Sequence, residues 1–395
     1  MKTGQATGCF KNRRVVISSI LVVLAVSLLW PIYNSPVWWV SLEAPNYPQE
    51  SFPDGVKILF HCNGVFSGCQ VAGNENPMDP EALDCVHEMD TINHYVGMYP
   101  IASGGPLELF FSLFLLAFIG VLLLAFISMR PRVRTVIMAV GFATVLSWMG
   151  VTYFGQGGLK FHSSRYLSGR LTSLGESSEE EEEKPLTAGE ALIARLKASL
   201  AESSAPEEDV VAAQSEKQES LKNLQKAFEQ DRNRVSTVGQ EWQGKGSQLV
   251  PWHYEKSLGR YFRDESTLGP MVSGMARAGD AVFWGIAVLM VVIVFAARKP
   301  EGLFNWLLAL VPAGLPLYFI IEYSTWLWWY GHNMNEMGAF TLKSFMPTVF
   351  GQGKVAQFTT NSYPASGFWL MVLFSALLIT AVLLRRESLV EDADE

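Results

Sequence analysis

The chain has 395 residues, 49% of them hydrophobic and 17% charged, and a formal net charge of −8. No basic surface accompanies that charge, which excludes nucleic acid as a partner. Much of the acidity lies in Glu179 to Glu183 and in the C-terminal EDADE, runs whose simplest role is solvation.

Apolar runs dominate the rest. Crossing a bilayer takes about 20 residues of helix, and six stretches reach that length: 15–33, 107–128, 134–154, 280–297, 303–328 and 367–384. A soluble core does not explain runs such as LELFFSLFLLAFIGVLLLAFISM. The expected fold is mainly α: a polytopic membrane protein with about six transmembrane helices and an extracytoplasmic cap of irregular and short-strand loops. Basic residues set its orientation. Lys2, Lys11, Arg13 and Arg14 precede the first run, and Arg130, Arg132 and Arg134 separate the second from the third. Arg298 and Lys299 follow the fourth, and Arg385 and Arg386 follow the sixth. If the spans alternate, every cluster falls on one side, the cytoplasmic one. Residues 1–14 and the acidic tail 385–395 are then cytoplasmic, while loops 35–105, 155–279 and 329–366 lie outside, as in a bacterial inner-membrane protein. Trp30, Trp38, Trp39, Trp326, Trp328 and Trp329 would form an aromatic belt at the outer ends of spans one and five. The basic start also fits a cleaved signal peptide, but WPIYNSPVWW offers no small-x-small cleavage site, which favours a retained anchor.

The outer loops differ in character. Loop 35–105 reads as a small folded domain with short strands such as VKILFHC and a helical stretch near 81–98. Loop 329–366 is rich in glycine, proline and aromatics, and the two loops can pack together. In loop 155–279, residues 173–185 read as disordered because like charges repel and little is apolar. Residues 187–203 and 208–235 then read as two helices, a surface hairpin or a partner-docking arm. The fifth run holds Pro312, Gly314 and Pro316, which predict a kinked or broken helix. Glu322 lies near its outer end, and a carboxylate near a bilayer is a functional candidate, or simply reaches water.

On this topology all six histidines and three of the four cysteines share the outer compartment. Cys62, Cys69 and Cys85 are disulfide candidates there, as Cys62–Cys69 or Cys69–Cys85 with one thiol to spare. The alternative is a soft metal site. Cys85-x-His87-x-Met89 would alternate along a strand, and His94 and Met98 would share one face of a helix. His332, Met334 and Met337 form a second soft group, and such donors suit copper. No haem-attachment motif, nucleotide-cradling loop, dinucleotide fingerprint or hydrolase signature is present, so no enzyme class is indicated.

SLEAPNYP (41–48) and INHYVGMYPI (92–101) resemble segments of a group of bacterial polytopic membrane proteins. That group carries a LEAPxYP-type segment followed by an NHYIGM-type segment, and it often accompanies the maturation system of nitrous oxide reductase, a periplasmic copper enzyme. The resemblance covers Glu43, Ala44, Pro45, Tyr47 and Pro48, then Asn93, His94, Tyr95, Gly97 and Met98. It implies a non-enzymatic accessory role on the outer face, in copper loading or assembly of an extracytoplasmic enzyme. FHCNGVFSGC and the acidic, helical insertion are foreign to that pattern. Two alternatives remain open. One is a structural subunit of a respiratory or oxygenase complex, docking a membrane or extracytoplasmic partner. The other is a transporter that uses the broken fifth span.

Overall fold

The computed structural model describes residues 3–50, 52–69, 84–128, 130–174, 206–232, 241–262, 264–298, 303–340, 342–355 and 357–393. The acidic run and the expected helix at 187–203 lie outside the described residues, apart from 173–174. The chain divides into two compact units, Met1–Met149 with Arg277–Glu395, and Gly150–Ala276.

In chain order the first unit contributes α1 (Thr3–Asn34), β1 (Trp38–Glu43), β2 (Val56–His61), β3 (Gly64–Ser67), α2 (Cys85–Tyr95) and α3 (Pro106–Ile127). Helix α4 (Pro131–Phe154) leads out of it. The second unit holds α5 (Ser164–Leu174), α6 (Pro206–Arg232) and α7 (Gly246–Tyr261), and α8 (Glu265–Ala296) returns to the first. There follow α9 (Leu303–Ala313), α10 (Leu315–His332), β4 (Gly351–Val355), β5 (Phe358–Pro364) and α11 (Ser366–Ala393).

The chain is mainly helical with one small sheet, and by length and composition it is a multi-pass membrane protein. Among the described residues, α1, α3, α4, α8 and α11 contain five apolar spans, and α9 with α10 makes a sixth if that bent pair is one span. The pair bends by 47°. Each proline lacks an N–H and its ring crowds the carbonyl four residues earlier, so Pro312 and Pro316 interrupt the ladder over adjacent turns. Helix α8 begins fifteen residues before the expected span, because Asp264 caps it: its carboxylate accepts from the Ser266 N–H at 3.1 Å. Apolar side chains such as Trp30, Val140, Val288 and Trp369 stay exposed on these helices, as contact with lipid requires.

Helix α1 runs along α11, tied by Ser18 Oγ donating to the Ala381 carbonyl at 2.8 Å. At one end of the bundle, Arg134 donates to the Ala297 carbonyl at 2.9 Å and Arg385 donates to the Phe126 carbonyl. Each cation thus meets the negative end of another helix. At the other end the two loops join in one antiparallel sheet, ordered β3-β2-β1-β5-β4. In β1, Trp38 pairs with Phe60 of β2 and with Pro364 of β5. Trp38, Val40 and Leu42 alternate inward, and the Trp38 indole donates to Ser362 Oγ at 2.8 Å. Trp38 is therefore a core residue of the sheet rather than part of an aromatic belt.

In the second unit, α6 buries Leu224, Ala227 and Phe228, and Phe228 packs at 5.2 Å from both Trp242 and Trp252. These three side chains of α6 are therefore covered within the unit. His253 Nε2 faces the Arg170 carbonyl at 3.0 Å and Ser173 Oγ at 2.7 Å, with His253 and Arg170 buried. Burial and the Arg170 charge hold that imidazole well below its usual range, hence neutral.

Candidate functional site

Three elements of the first unit enclose a cavity of about 580 Å³: α3, the broken pair α9 and α10, and the β2–β3 hairpin. That volume lies within the range of small-molecule sites. Helix α10 presents Tyr318, Glu322, Trp326 and Tyr330 to it. Side chains four residues apart share one helix face, so this stripe follows directly from the sequence spacing. Helix α3 presents Glu108 and Ser112 near its start and Leu115, Leu116, Ile119 and Leu122 further along. The hairpin places His61 and Cys62 at the cavity, and Leu289 of α8 and Val311 of α9 border it.

The polar groups concentrate at one end. Glu108 sits in the first turn of α3, where the helix dipole favours an anion, and its carboxylate and the Trp326 indole nitrogen both flank Gly105. Glu322 lies one turn before Trp326, within range of the Glu108 charge. Burial, reinforced by the Glu322 charge, pushes the Cys62 thiol up to about 12, so it stays protonated at neutral pH. The Tyr330 hydroxyl donates to the Pro100 carbonyl at 3.2 Å, over Gly104, where an added Cβ would stand 2.5 Å from that hydroxyl. Trp326, expected in an aromatic belt, lines this cavity one turn after Glu322. The flank is apolar and open: Val311 is 67% exposed, Tyr318 55% and Leu289 48%.

The residues singled out for metal binding lie elsewhere. Cys69 and Cys85 form a disulfide, with Cα atoms 6.1 Å apart, and Cys62 is a free thiol. The Cys85 sulfur is thereby withdrawn from metal binding. Residues 85–89 are helical, not a strand, because Asp84 caps α2 by accepting from the Val86 N–H at 3.0 Å. Cys85 and Met89, one turn apart, share the buried face, and Met89 packs into the core under the sheet. His87, two positions on from Cys85, lies on a different face.

Met98 is buried, while His332 is exposed and stacks on Trp328 at 4.6 Å. Met334 is half-buried and Met337 exposed. The segments carrying these residues meet: the Asn335 N–H donates to the Gly97 carbonyl at 2.7 Å and the Phe340 N–H to the Tyr95 carbonyl at 3.0 Å. Among the described residues, no group of three or more His, Cys, Asp and Glu is placed to hold a metal ion.

The segments behind the resemblance have structural roles. Gly97, at φ +79°, ends α2, with its N–H on the His94 carbonyl and the Met98 N–H on the Asn93 carbonyl. That pattern is a Schellman cap. The Tyr47 hydroxyl donates to Glu88 of α2 at 2.9 Å, and Glu43 accepts from the Asn361 amide at 2.9 Å. Comparison with protein-family models, curated proteins and solved structures returned no match.

Sequence reasoning found Glu322 but missed Glu108 and Trp326. Glu108 opens an apolar run, where it reads as an edge residue. The signal available was its place three residues after Gly105, at the mouth of a helix otherwise without charge.

Proposed function

We propose that this is a six-span membrane protein that takes a lipid-soluble molecule from the bilayer into the cavity between α3 and α10. The observation that carries this reading is the cavity itself: apolar walls, an open apolar flank, and polar groups confined to one end. A carboxylate among apolar spans is costly and marks a functional site by default, and this cavity holds two. In this reading α9 and α10 form one broken span, tolerated because the break borders the cavity. The sheet lies outside the cytoplasm and both termini lie inside. Two findings support that orientation: the Cys69–Cys85 disulfide, at home in an oxidising compartment, and Arg134 and Arg385 gathered at the opposite end. The test is saturable binding of a neutral apolar fluorophore, N-phenylnaphthylamine, to the protein in nanodiscs, beside Ser112→Trp, which fills the cavity. One site, weakened at least tenfold by the substitution, supports the reading. Binding no greater than to empty nanodiscs contradicts it.

A second reading is copper loading or assembly of an extracytoplasmic metalloenzyme. It is favoured by the hydrogen-bonded contact between the Tyr95–Gly97 backbone and the Asn335–Phe340 loop. That contact brings the segments bearing His94 and Met98 to those bearing His332, Met334 and Met337, and imidazole and thioether donors suit copper(I). Stoichiometric copper(I) retained with ascorbate, and lost in His94→Ala/Met98→Ala, would support it. Equal copper in both proteins would count against it.

A further inference from the structure

We infer that the head group received by the cavity is an organic cation, a quaternary or protonated amine, seated between Glu108 and Glu322. This rests on the reading that the cavity takes a ligand from the bilayer. The cavity is chemically divided. Its polar end holds two carboxylates, and no lysine or arginine is among its lining residues. Both carboxylates line the same cavity, Glu108 from α3 and Glu322 from α10. Two anions that line one mainly apolar space repel more strongly than they would in bulk water. A bound cation relieves that repulsion, whereas an anionic head would add to it.

The aromatic groups point the same way. Tyr318 and Trp326 lie one turn to either side of Glu322 on the lining stripe of α10. Aromatic faces beside carboxylates recognise alkylammonium groups through the ring quadrupole. The Trp326 indole and the Glu108 carboxylate both flank Gly105, which sets an aromatic ring beside one carboxylate. From this head site the apolar side chains of α3 continue through Leu115, Ile119 and Leu122, offering room for a tail. The ligand class is therefore a single-tailed or aromatic amphiphile with a cationic head.

The experiment compares decyltrimethylammonium, decanol and decanoate, which differ in head charge, by equilibrium dialysis against the full chain in nanodiscs, with empty nanodiscs subtracted. Decyltrimethylammonium should bind one site at least tenfold more tightly than decanol, with decanoate weakest. Glu108→Gln/Glu322→Gln should lose that preference while still binding decanol, which also shows that the variant is folded. Each single variant should lose part of it. Equal affinity for the cation and the alcohol in the unmodified protein would overturn the cationic head and leave the cavity reading standing. A preference that survives in the folded double variant would overturn it as well. Saturable binding of none of the three would overturn both.

Discussion

Gly97→Ala tests how the two outer loops are joined. Gly97 has φ +79°, and a Cβ added there would stand 2.5 Å from the Asn335 carbonyl oxygen. A side chain in the left-handed region costs about 1–2 kcal/mol. Asn335 must also withdraw, which weakens the bond from its N–H to the Gly97 carbonyl, now 2.7 Å long, at about 0.5–1.5 kcal/mol. Together the junction should lose about 1.5–3.5 kcal/mol, which at a factor of ten per 1.4 kcal/mol speeds local opening about 10- to 300-fold. Hydrogen exchange at the amides of Asn335 and Phe340 reads that opening directly. Gly97→Asn separates the two costs, since asparagine tolerates the left-handed region but keeps the close contact. It should fall between glycine and alanine. Unchanged exchange at both amides in Gly97→Ala would refute the account of this junction.

Three further predictions concern the cysteines and the second unit. Reducing Cys69–Cys85, or Cys85→Ser, frees a loop of sequence separation 16 and should destabilise the sheet and α2 by about 3 kcal/mol on the chain-entropy account, read as exchange in 56–67 and 85–95. Cys62, with its thiol pushed up to about 12, should resist iodoacetamide at pH 8 in the folded protein and react readily once unfolded, as followed by mass spectrometry. His253 binds its proton more weakly folded than unfolded, so the unfolded form takes up protons first as pH falls below about 6.5. The helix Gly246–Tyr261 should then exchange faster at pH 5.5 than at pH 7.5, beyond the intrinsic pH effect, and His253→Gln should remove the excess.

The membrane character of the chain was plain in its sequence, because a run of apolar residues long enough to span a bilayer needs no tertiary context to be recognised. Glu322 was legible for the same reason, as a single acid in such a run. Pairing between β1 and β5 was not, since it joins Trp38 to Pro364 and nothing local marks either strand as the other's partner. Only the strand in VKILFHC showed itself, as Val56–His61. The helical stretch expected near 81–98 is present as Cys85–Tyr95, where the Asp84 cap and the buried pair Cys85 and Met89 fix the helix, and it removes the strand-like alternation that the metal alternative for Cys85, His87 and Met89 needed. Trp38 and Trp326 were placed in an aromatic belt by position. The burial of Trp38 in the sheet core and the place of Trp326 in the cavity wall depend on packing between distant segments. Gly97 shows how a short motif can mark geometry rather than chemistry: it caps a helix and admits a neighbouring backbone.

The central claim is that a lipid-soluble molecule enters between α3 and α10. Its most direct test is photolabelling in nanodiscs with a decyltrimethylammonium analogue carrying a diazirine at the tail end, the adducts mapped by mass spectrometry. The account predicts adducts concentrated at Leu115–Leu122 of α3 and near Val311 and Leu315, competed away by excess unlabelled probe. Adducts spread evenly over the exposed flanks of α1, α4 and α8, and untouched by competitor, would contradict it.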